Sequence, residues 1–173
     1  FTTNKLIEEW WNQLLDKSSD VNIDSVLIKN CKNEIIKKMF NMSRINIMRK
    51  LLNVDENALK YLSSNGFLFI ENQNVSFTHQ RIYDYFIEIE MINMYQENKT
   101  IEEIIGDIEQ QTPSRRYQIQ MFLEDLHEIN AKDFIKMGKE LLLSDNVRFY
   151  IKYVFLEVLG QIEEVDSGIE GFI

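Results

Sequence analysis

Very little in this sequence breaks a helix, cross-links the chain or spans a membrane. One proline and six glycines in 173 residues leave few interruptions, which favours a mostly helical fold. The single cysteine, Cys31, excludes an internal disulfide framework and fits a reducing, cytoplasmic compartment. No apolar run approaches the ~18 residues of a membrane span. There is no G-x-x-x-x-G-K-[ST] loop to cradle a phosphate and no glycine-rich dinucleotide fingerprint. The two histidines, His79 and His127, stand far from each other and from Cys31, without zinc-ligand spacing. No Ser-His-Asp or Cys-His grouping emerges without arbitrary selection. We therefore assign no catalytic residue and no metal ligand, and expect no enzyme activity from this segment itself. The chain opens on Phe1 without a basic-plus-apolar leader, which reads as a piece cut from a longer protein.

What is present is material for burial. Hydrophobic residues make up 45% of the chain and eleven are Phe, which argues for packed cores rather than disorder. The net charge of −9 is unevenly spread. Residues 1–95 hold 11 Lys/Arg against 12 Asp/Glu, whereas residues 96–173 hold 8 against 16. An acidic C-terminal half repels phosphate backbones, so nucleic acid is not an expected partner there.

In chain order, residues 4–15 place Leu6, Ile7, Trp10, Trp11, Leu14 and Leu15 at helical spacing. A polar connector spans residues 17–24. A second helix over 25–41 turns Val26, Leu27, Cys31, Ile35, Ile36, Met39 and Phe40 inward. After MSRINIMRKLL, Asp55 is suited to cap a helix carrying Leu59 and Leu62, and Asn65-Gly66 to end it. FLFIE and VSFT then flank the polar turn Asn72-Gln73-Asn74 as a hairpin, and a long amphipathic helix follows to Tyr95. Helix, short turn, helix and hairpin is the order of a winged helix. Beyond residue 95 the pattern becomes helix pairs. Thr100 and Glu103 form a capping box for residues 101–109, and Thr112-Pro113 opens a helix to Ile129 with Ile119, Phe122, Leu123 and Leu126 inward. Helices over 131–143 and 146–162 complete it. The expected fold is thus mainly α: a linker and winged-helix module over 1–95, then the start of a HEAT-like, α-solenoid-like array over 96–173. The end on Phe172-Ile173 reads as truncated, because a solenoid closes with a polar cap.

Acidic pairs such as Glu102-Glu103 and Glu163-Glu164 are solvated helix faces, and His127, beside Asp125 and Glu128, reads as surface. His79 is different. It stands where the second hairpin strand turns into the long helix, a corner where helix dipole and first-turn amides favour an anion. The competing reading is a histidine that only caps or packs the junction. A DNA-reading role for the winged helix would rest on residues 55–64, which open Asp55-Glu56 and offer Lys60 alone. Major-groove readers place Arg, Lys, Asn or Gln near the helix start.

Several stretches resemble the C-terminal side of the NTPase module in bacterial STAND ATPases, the NACHT and NB-ARC-like class of signalling and defence proteins. LIEEWWNQLL resembles the helix entered after the ATPase core, and ALKYLSSNGFLFI the winged-helix segment. VSFTHQRIYDYFIE resembles the F-x-H-x-x-x-x-[DE]-Y-F signature that closes it. RRYQIQMFLEDL and RFYIKYVFLEVLGQI are similar to the first HEAT-like helices that follow. Gln80 stands where the NB-ARC branch has Asp, which fits the looser NACHT-type pattern. The resemblance implies that His79 reaches the β-phosphate of ADP held by an upstream nucleotide-binding domain, keeping a closed resting state. It also implies that Phe77, Tyr85 and Phe86 are core residues of the corner and that Asp84 is a hydrogen-bonding partner. ADP or ATP would be held through the upstream domain, not by this segment alone. The implied partners are that domain, downstream repeats, a protein ligand and a homo-oligomer. The alternatives are a winged-helix transcription regulator and a non-catalytic helical interaction scaffold.

Overall fold

The computed structural model describes the backbone of residues 3–170 and the side chains of residues 3–163. It is mainly helical with one small three-stranded antiparallel sheet, as the scarcity of proline and glycine predicts. Phe172-Ile173, the expected truncated end, lie outside the described residues. The chain packs as two compact units, and the division falls between Ile87 and Glu88.

The first unit begins with α1 (Thr3–Lys17), which buries Ile7, Trp11 and Leu14. Leu6 stays exposed and Trp10 and Leu15 half-buried, so the inward stripe is narrower than the apolar spacing suggests. Asp24 caps α2 (Ser25–Met42) by accepting from the Val26 amide at 2.9 Å. Ile28, Cys31, Ile35, Ile36, Met39 and Phe40 form its buried face. Val26 and Leu27, expected inward, are exposed, because at about 100° per residue both lie well off the stripe of Ile28, Ile35 and Met39. Burial pushes the Cys31 thiol up to about 12, with the charges of Asp55 and Glu56 adding to it.

MSRINIMRKLL contains a strand that hydrophobic patterning does not single out. β1 (Asn46–Met48) is three residues long and buries only Ile47, too short to show an alternation. Asp55 caps α3 (Glu56–Ser64), its carboxylate accepting from the Ala58 amide at 2.9 Å. Ala58, Leu59, Tyr61 and Leu62 pack inward. Tyr61 donates its hydroxyl to the Leu14 carbonyl at 2.6 Å, pinning α3 to α1. Gly66 at φ 76 lets the chain reverse where a side chain would be strained. β2 (Leu68–Glu71) and β3 (Asn74–Phe77) form the expected hairpin. Its turn is only Asn72 and Gln73, both left-handed; Asn74 pairs with Glu71 and belongs to the strand. β3 is central, with the sheet order β1-β3-β2. Helix, strand, helix and hairpin with that pairing is winged-helix topology. α4 (Gln80–Gln96) follows at once.

The second unit takes the C-terminal part of α4 and four further helices. Thr100 and Glu103 close the expected capping box on α5 (Ile101–Ile105). That helix stops four residues earlier than its sequence pattern suggests. Gly106 leaves helical geometry at φ 89, and Asp107 opens a separate short turn with Gln110. Thr112 and Pro113 start α6 (Pro113–Ile129), whose Ile119, Phe122, Leu123 and Leu126 are fully buried. α7 (Ala131–Leu143) packs so closely on α8 (Phe149–Glu170) that a Cβ on Gly138 would lie 2.0 Å from the Phe155 ring. α8 starts three residues later than expected, because the loop before it is held by polar side chains. Gln111 donates to the Asn146 carbonyl at 2.8 Å and accepts from the Arg148 amide at 2.7 Å. Arg115, 1% exposed, donates to the Ile105 carbonyl at 2.8 Å and so closes the end of α5.

Candidate functional site

The corner around His79 is built by its neighbours. Thr78 donates its amide to the Phe67 carbonyl at 3.2 Å and its hydroxyl to the Gly66 carbonyl at 2.6 Å. The His79 carbonyl then accepts the first amides of α4, from Ile82 at 3.0 Å and Tyr83 at 3.4 Å. His79 is therefore the residue at which strand geometry ends and helix geometry begins, and it is exposed.

Beneath the corner lies an aromatic cluster. The fully buried Phe67 ring sits 5.0 Å from Trp11, 5.6 Å from Phe77 and 5.8 Å from Phe86, centroid to centroid. These separations suit edge and offset ring packing. The Lys32 ammonium stands over the Trp11 and Phe86 rings at 5.0 and 4.7 Å. Of the signature residues, Phe77, Asp84 and Phe86 are buried, while Tyr85 is only half-buried. Tyr85 projects from α4 beside the cluster, its ring 5.0 Å from Phe86. Asp84 accepts from the Gln80 side-chain amide at 3.0 Å, so Gln80, one residue past the histidine, holds the buried carboxylate.

His79 lines an open groove of about 540 Å³ with Leu6, Ile7 and Trp10 of α1 and Arg81 and Ile82 of α4. Arg81 reaches back to the Asn4 side chain at 3.4 Å. An imidazole, a guanidinium and a helix start thus border a largely apolar groove. Residue-by-residue reading singled out His79 but missed Arg81 and the half-exposed Trp10. Both come to His79 through the packing of α1 against the start of α4, which spacing along the chain does not reveal.

Two further positions differ from expectation or escaped it. His127 is half-buried rather than surface, set edge-on to Phe134 with centroids 5.2 Å apart. Glu88 is buried on α4, and its carboxyl is pushed up to about 9 by burial first, then by the hydrogen bond and charge of Asp125. Burial thus favours its protonated, neutral form.

The face that α3 would present to DNA borders a polar cleft of about 610 Å³ shared with Lys17, Asp20 and Asn22. The exposed residues of α3 on that side include Asn57, Lys60 and Ser64, and Arg49 is engaged by Glu56 in an ion pair. Among the described residues no three His, Cys, Asp or Glu side chains gather to hold a metal, and no helix is long and apolar enough to cross a membrane. Comparison with protein-family models, curated proteins and solved structures finds no match.

Proposed function

We propose that this chain is the regulatory winged-helix and helical-repeat segment of a STAND-type signalling or defence NTPase. In this reading His79 stabilises the ADP-bound resting state of an upstream nucleotide-binding domain of the same protein, in the cytoplasm. One observation carries the proposal: the His79 ring is exposed at the first turn of a long helix while Thr78 and the aromatic cluster fix the backbone on either side. A side chain held so firmly at its root and left open at its tip is suited to meet a partner.

The chemistry is that of anion recognition. A phosphate oxygen brought to the corner would accept from the imidazole, beside the positive end of the α4 dipole. Arg81, two residues on, adds positive charge at the same groove. Exchange of ADP for ATP, or a protein ligand captured by the helical repeats, would release this hold and allow the protein to oligomerise. The DNA-regulator reading is not adopted, because the exposed side of α3 offers one lysine beside Asp20 and Glu56. Phosphate contacts need more cations than that.

The test is His79→Ala in the complete polypeptide, followed by ADP dissociation and basal signalling or ATPase activity. The reading expects faster loss of ADP and raised basal activity. Unchanged ADP affinity together with an unchanged resting state would overturn it.

A further inference from the structure

α8 is apolar on two opposite sides. Ile151, Val154, Phe155 and Val158 are buried. At about 100° per residue, Phe149, Tyr153, Leu156 and Gly160 fall on the other side. Phe149 is 79% exposed, Tyr153 57% and Leu156 45%. Together with Leu142 and Lys152 they line a shallow groove of about 220 Å³ at the end of α7. An apolar stripe left open to water on the outside of a helix calls for a covering partner.

The outer stripe carries its own pairing instructions. Positions 149, 153, 156 and 160 follow, over less than two heptads and up to Glu163, the alternating four-three spacing of a short two-helix seam. Lys152 flanks the seam on one side and Glu157, five positions later, on the other. When two such helices run parallel and in register, each flanking position of this kind lies beside the one five residues later on its partner. Lys152 of each copy then meets the partner's Glu157. At Gly160 a Cβ would meet nothing within 4 Å, so the bare backbone there lets two helices close on each other. Glu157 accepts from Arg116 at 3.0 Å within its own chain, yet its side chain stays 51% exposed and can accept a second donor. An antiparallel pair would set the lysine sides together and gain no such bridge.

We propose that a second copy of this chain covers the outer face of α8, the two α8 helices packing parallel across a twofold axis with reciprocal Lys152–Glu157 ion pairs. The proposal does not depend on the nucleotide reading.

Sedimentation equilibrium of the full chain, from micromolar to hundreds of micromolar, tests it. Wild type should dimerise and Phe149→Asp should stay monomeric. Lys152→Glu and Glu157→Lys should each weaken the dimer about tenfold, since two symmetric pairs are lost and like charges take their place. The double variant Lys152→Glu/Glu157→Lys should restore it. Arg116→Gln controls for the internal ion pair, and thermal melts confirm that each variant folds. A wild type that stays monomeric throughout gives the face to some other protein and overturns the proposal. So does a double variant no tighter than the single ones, or a dimer that survives Phe149→Asp.

Discussion

Thr78 donates its hydroxyl to the carbonyl of Gly66 at 2.6 Å, joining the residue before His79 to the glycine that ends α3. This one bond ties the exit of the hairpin to its entrance and fixes the start of α4. Thr78→Val keeps the shape and β preference of the side chain but removes the donor. We expect a loss of about 1 kcal/mol in unfolding free energy, read by urea denaturation. We also expect broadened NMR resonances at His79 and Gln80, because the corner loses its tether.

Glu88 gives the chain a pH dependence that runs opposite to ordinary carboxylates. Its folded-state value of about 9 lies above the ordinary 4.5. Below pH 4.5 both folded and unfolded chains hold the proton. As pH rises towards 9 the unfolded chain releases it while the folded chain retains it, so this group costs stability across that window. Glu88→Gln keeps a donor for Asp125 and cannot ionise. The variant should match wild type near pH 4 and be the more stable of the two at pH 8. Thermal melts at the two pH values decide. A variant equally destabilised at both would contradict the assignment.

Gly138 sits where α7 crosses α8, with the Phe155 ring in the space a Cβ would need. Gly138→Ala raises intrinsic helix propensity by ~1 kcal/mol, so an exposed position would be stabilised. Here overpacking wins. We expect a net loss of about 1–3 kcal/mol, relieved in part by the second change Phe155→Leu. A more stable single variant would show that the two helices can separate freely.

Much of this architecture was legible in the sequence, and the reasons are local. Capping residues announce helix starts directly, as Asp55, Thr100 and Thr112 do, because a side-chain oxygen and an amide three residues on are all the interaction needs. The polar pair Asn72-Gln73, both left-handed, marks the hairpin turn just as locally. What stayed hidden depends on distant partners. β1 exists because β3 pairs with it, and three residues carry no periodicity of their own. The late start of α8 reflects Gln111, some 35 positions earlier in the chain. At the candidate site, His79 stood out by its place between strand and helix. Arg81 and Trp10 join it only because α1 folds against the start of α4, a tertiary fact that spacing cannot show. Buried Arg115 and Glu88 look like surface charges until their helices are packed.

The most direct measurement takes the complete polypeptide, purified without added nucleotide, and denatures it so that any bound nucleotide can be identified and counted. Wild type and His79→Ala are compared side by side. The account predicts close to one ADP per wild-type molecule and its loss from the variant. No nucleotide in either protein, or equal ADP in both, would contradict the role proposed for His79.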